Sequence, residues 1–132
     1  GAPALLSAIL MVRFIQRIQQ QGVEVEWVLD WFENQVIDRA LQMGMKKYYP
    51  ITTTKGYMGY IPEGYFACLT PTIYEKTGGT LPDELLVIGS AFIKNIKDAC
   101  PSIDISVAPA LRFQNIINYN NSKKNKRFSC SL

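Results

Sequence analysis

The sequence predicts an α+β domain: a helical hairpin at the N-terminus, a third helix in the middle, and short antiparallel strands. Three observations carry this expectation. Apolar residues recur every three or four positions in three stretches, the spacing of one helix face. β-branched and aromatic residues cluster around Gly and Pro turns between positions 46 and 70. The chain has 132 residues, which suits a single domain. That domain divides into a helical hairpin (1–45), a strand and loop region (46–79), a helix (80–100), and strands with a basic C-terminal hairpin or tail (101–132).

The first helix is expected over Pro3 to Gln20. Leu6, Leu10, Phe14 and Ile18 make one stripe, and Leu5, Ile9 and Val12 make a second. Polar residues are dense only after position 12, so the front half is apolar nearly all round. Such a helix must be buried on every side. Gly22 is a natural stop. A second helix is expected over Val25 to Met43, with Val25, Val28, Phe32, Val36, Ala40 and Met43 on one face and Trp27 and Trp31 on its flank. Gly22 leaves only a short turn between the two, hence a hairpin.

Ile51 to Thr54 and Tyr57 to Ile61 flank Lys55-Gly56, which predicts a β-hairpin. Tyr65 to Thr70 follows as a short strand, and Pro71 to Gly79 as a loop. Thr80, Pro82, Asp83 and Glu84 supply helix-start chemistry for a third helix, whose face is Leu85, Ile88, Phe92, Ile96 and Ala99 and which Pro101 stops. Ile103, Ile105 and Val107 alternate with polar residues as a half-buried strand. Leu111 to Tyr119 fits a strand or a short helix. Phe128, Cys130 and Leu132 close a terminal hairpin, or else the end is a frayed basic tail.

Conventional chemistry finds few anchors. The chain has no histidine, so a Ser-His-Asp arrangement is excluded. Cys68, Cys100 and Cys130 are odd in number and widely spaced, which argues against a disulfide scaffold or a zinc site. They read as small buried thiols in a reducing compartment, cytoplasm or virion. Asp30 and Glu33 are the best carboxylate pair, but acids three apart on a helix usually form a solvated face. Gly78-Gly79-Thr80 lacks the Lys of a phosphate-binding loop. No cofactor motif and no metal site is expected. Ala4 to Val12 is too short to span a bilayer and has no basic residue ahead of it.

Two function classes lead, ahead of a third, a hydrolase-like enzyme relying on Asp30 and Glu33. The first is a non-enzymatic structural or assembly protein that self-associates or docks in a larger complex, with Leu5, Leu6, Ile9, Leu10, Trp27 and Trp31 at the interface. Its basis is the greasy start and a charged fraction of only 19%, against about a quarter in ordinary domains. The second is a nucleic-acid-binding module. The net charge of +3 is concentrated at the end: residues 101–132 carry five basic residues and one acidic. Lys123, Lys124, Lys126 and Arg127 would hold phosphates, and Lys46, Lys47, Lys55, Tyr57 and Tyr60 would add stacking and charge.

Trp31 to Gly44, Tyr48-Tyr49, Thr52 to Tyr60 and Pro62-Glu63-Gly64-Tyr65-Phe66 set an amphipathic helix ending at Gly before a strand pair and a Pro-x-Gly turn. Over about a third of the chain this loosely resembles the adaptor proteins of tailed-virus necks. The resemblance implies a homo-oligomer or larger protein assembly, with a viral particle as its setting.

Overall fold

The computed structural model describes residues 1–60 and 69–111. The chain begins with helix α1 (Ala2–Gln20) and then alternates strand and helix: β1 (Trp27–Trp31), α2 (Val36–Tyr48), β2 (Thr53–Met58), α3 (Ile73–Thr77), β3 (Glu84–Val87), a 3₁₀ turn (Ser90–Phe92), α4 (Ile93–Ala99) and β4 (Asp104–Val107). The four strands form one sheet in the order β1-β2-β3-β4, and every pairing is parallel.

Helix and strand are mixed as expected, but the antiparallel arrangement is wrong. Residues 25–43 are not one helix. Trp27–Trp31 is a strand, and the helix starts only at Val36. The two N-terminal helices therefore pack together without forming a hairpin, since β1 lies between them. The expected 51–61 hairpin is the single strand β2, whose partners are β1 and β3. The expected helix over 80–100 begins with the strand β3 and becomes helical only at Ile93. The loop expected at 71–79 contains α3. Part of the strand expected at 65–70, and the whole C-terminal hairpin, lie outside the described residues.

Local chemistry places the breaks. Asn34 has a left-handed backbone (φ 56), which Asn tolerates better than most residues. It turns the chain out of β1, and Asp38 then accepts from the backbone N–H of Gln35 to start α2. Thr72 and Glu75 form a reciprocal capping box at α3. Gly22 ends α1 with φ 73, while Val23 N–H reaches Ile18 O and Gly22 N–H reaches Gln19 O. Those two bonds satisfy carbonyls that the helix end would otherwise leave open.

Parallel register sorts the strand residues into two faces. One face carries Val28, Asp30, Thr54, Gly56, Met58, Leu85, Val87, Ile105 and Val107. The core lies here: Phe32, Met58, Leu81, Leu85, Val87, Ile96, Cys100 and Ile103 are buried together. Ile96 and Cys100 bring α4 to this side, and Asp30 meets Asp38 and Gln42 of α2 on it. A Cβ on Gly56 would fall 2.8 Å from Pro82 and 3.0 Å from Phe32, so this face requires glycine there. We call it the inner face. The opposite, open face carries Trp27, Leu29, Trp31, Thr53, Lys55, Tyr57, Glu84, Leu86, Asp104 and Ser106.

Candidate interaction surfaces

Helix α1 lies along α2. Its one buried residue is Ile15. This side chain fits only because Gly44 of α2 has none: a Cβ there would stand 2.5 Å from Ile15 Cδ1. Ala8, Met11, Val12, Gln16 and Ile18 are partly covered along the same side. The outward side has no cover. Leu5, Leu6, Ile9, Leu10 and Phe14 are 50–61% exposed. A groove of about 380 Å³ runs between the two helices, lined by Ala8, Ile9, Val12, Ala40, Met43 and Tyr48 among others.

The six expected interface residues therefore fall into two separate places. Leu5, Leu6, Ile9 and Leu10 stand on the outside of α1. Trp27 and Trp31 stand on the open face of β1, 56% and 41% exposed. Because α2 packs on the inner face and α1 on α2, the sheet separates the two groups.

The basic and aromatic residues proposed for nucleic acid do not gather. Lys46 donates to Leu81 O at 2.6 Å. Burial lowers its pKa, and Asp83 partly opposes this. Lys47 lies over the Tyr48 ring at 5.3 Å. Lys55 is on the open face, paired with Glu84 at 2.9 Å. The Ser106 hydroxyl and Lys55 hold the Glu84 carboxyl below its usual range. Tyr57 is 4% exposed, so its ring cannot receive a base. Tyr60 packs against the core from its margin. Lys123, Lys124, Lys126 and Arg127 lie outside the described residues, as do Cys68 and Cys130.

Neither of the two carboxylates singled out for acid–base work faces a shared cleft. Asp30 points to the inner face. Burial raises its pKa to about 6, the Asp38 charge adds to the rise, and the Gln42 amide opposes it. That amide is close enough to favour the carboxylate. Even so, neither of its polar atoms nor Asp30 Oδ2 completes a hydrogen bond of normal geometry among the described residues. Glu33 instead accepts from Trp31 Nε1 at 2.9 Å. The polar cluster beyond the end of β1 is internally satisfied: Arg39 pairs with Glu75 and donates to Asn34 Oδ1, and Asn34 donates to Glu75. Among the described residues, no group of three or more Cys, Asp or Glu is placed to hold a metal.

Comparison with family models, characterised proteins and solved structures finds no match.

Of the residues that carried the viral-adaptor resemblance, Pro62 to Phe66 lie outside the described residues, and the described ones depart from the expected helix stop and strand pair. Helix α2 runs through Gly44 to Tyr48, and the strand that follows pairs in parallel with β1. No described helix is long and apolar enough to cross a membrane. What sequence reading missed was the open face itself. Trp27, Leu29 and Trp31 alternate with Val28, Asp30 and Phe32, and that alternation is the signal that could have shown it.

Proposed function

We propose that this protein is a structural assembly component that associates with further copies of itself through the outward side of α1. The observation that carries the reading is the exposure of Leu5, Leu6, Ile9, Leu10 and Phe14 on one continuous helical surface. Together they present on the order of 500 Å² of apolar area, at the upper end of what a monomer's largest patch exposes. A symmetric pair of such helices would bury roughly 1,000 Å², the lower bound for a specific interface.

Like surfaces suit one another here. Two copies related by a two-fold axis present the same stripe to each other, and leucine, isoleucine and phenylalanine interdigitate without leaving polar groups unpaired. The first turn and middle of α1 carry no charge to oppose contact; Arg13 and Arg17 stand in its second half.

Sedimentation velocity of the unmodified protein over the micromolar range tests this. The expected result is a mass above 14.9 kDa that rises with concentration. A species of one-chain mass throughout overturns it.

A further inference from the structure

The groove between α1 and α2 carries a charge that nothing in the described chain answers. Tyr49 donates its hydroxyl to Val23 O, so the two helices finish at the same end of the molecule and run in parallel. Ile15 seats on Gly44 as the seam between them. Toward the helix starts, the small side chains of Ala8 and Ala40 leave the groove of about 380 Å³ open. That size falls within the range of small-ligand sites, about 300 to 1,000 Å³. Its two ends differ in character. Ala8, Ile9 and Ala40 line the end nearer the helix starts, and Arg13, Gln16 and Lys47 line the other. Helix α1 has no Asp or Glu in its nineteen residues. Asp38 is the one acid of α2, and it accepts from the backbone N–H groups of Glu33 and Gln35 at the helix start. Arg13 donates to the neutral Gln16 amide oxygen at 2.8 Å, and Lys47 lies over the Tyr48 ring. Among the described residues the ion pairs are Arg39 with Glu75 and Lys55 with Glu84, so neither groove cation has a counter-charge.

We infer that this groove binds a single-chain alkyl carboxylate, with the carboxylate on Arg13 and Lys47 and the chain running past Val12 and Ala40 toward Ala8 and Ile9. Charge complementarity selects the head group: a guanidinium matches a carboxylate in geometry as well as in sign. The apolar end selects the tail, since an alkyl chain leaves no polar group unpaired there. Length selects the class. Ala8 to Gln16 is about 12 Å along the helix, and an extended chain advances roughly 1.2 Å per bond, so about ten bonds fill it. A neighbouring α1 stripe cannot answer the same cations, because it has no acid of its own. The inference therefore stands apart from self-association through the outward side of α1.

The experiment is calorimetric titration of the full chain with sodium decanoate below its micelle concentration. The protein carries Leu6→Ser and Leu10→Ser, which keeps association through α1 out of the measurement. The expected result is saturable uptake of one decanoate per chain. Decyltrimethylammonium, a tail of the same length with the opposite charge, should show no saturable uptake. Adding Arg13→Gln and Lys47→Gln should weaken decanoate binding at least tenfold, with far-UV dichroism retained. Ala8→Phe, which fills the apolar end, should abolish it. Absence of saturable decanoate uptake overturns the inference. So does equal binding of the two amphiphiles, or decanoate binding that the glutamine pair leaves unchanged. Uptake by vesicles containing phosphatidylglycerol without uptake of free decanoate also overturns it, and makes a lipid surface the partner. If Ala8→Phe fails to fold, the glutamine pair, both exposed positions, still decides.

Discussion

Helices α1 and α2 pack side by side, yet the greasier of the two is the less buried. Helix α2 includes Asp38, Arg39, Gln42, Lys46 and Lys47, and it lies between the sheet and α1. Asp38, Ala40, Gln42, Gly44 and Met45 are buried in it. Helix α1 has only two charged residues in nineteen and buries one residue, Ile15. In α2 each polar group has a position: Asp38 caps the helix, Arg39 pairs with Glu75, and Lys46 reaches Leu81 O. In α1 the apolar side chains beyond the α2 contact have no partner in the described chain. Apolar content alone thus does not locate the core; the number of layers on each side of an element does.

The contrast can be broken at the seam. Ile15→Ala removes the one fully enclosed side chain of α1 and should cost about 2–4 kcal/mol, read as a lower urea midpoint. Leu6→Ser, measured at a dilution where the protein is monomeric, should cost no more than about 0.5 kcal/mol. Equal costs would mean that the outward side is already buried within one chain. From the α2 side, Gly44→Val drives a side chain into Ile15 and should cost about 1–3 kcal/mol through overpacking.

Smaller effects test the polar side of α2. The folded protein holds the Asp30 proton up to about pH 6, whereas the carboxyl ordinarily releases it near 3.8. Between those values the folded state binds more protons, so stability falls as pH rises through the window and stays low above it. Asp30→Asn should therefore stabilise the protein by about 1 kcal/mol above pH 6, the partial exposure of the side chain reducing the effect. The gain should shrink toward zero near pH 4, as thermal melts at several pH values would show. Arg39→Ala, which breaks a partly exposed ion pair, should cost on the order of 0.5–1 kcal/mol by the same melts.

How far the sequence could be read follows the same division. Where an element has one wet side, its period showed: α1 and its Gly22 stop, the later part of α2, and the strand at Ile105 were all legible. Where both sides are apolar, period fails. Glu84–Val87 is followed by Ile88, and the run Leu85-Leu86-Val87-Ile88 reads as helix or strand with equal ease. Trp27–Trp31 was absorbed into a helix because Val25, Val28 and Phe32 happen to fall three and four apart. The Thr72-x-x-Glu75 box was in plain view and marks α3. The all-round apolar pattern at Leu5, Leu6, Ile9 and Leu10 predicts burial on every side, and within one chain these positions are exposed. The separation of Trp27 and Trp31 from them required knowing that β1 is a strand, with the sheet standing between.

The central claim is that the outward stripe of α1 joins copies of this chain, and paired variants test it most directly. Sedimentation equilibrium should show the unmodified protein above one-chain mass and Leu6→Ser/Leu10→Ser at one-chain mass. Ile37→Ser, an exposed apolar residue of α2, should leave the association intact. If the double variant keeps the mass of the unmodified protein, the stripe is not the contact.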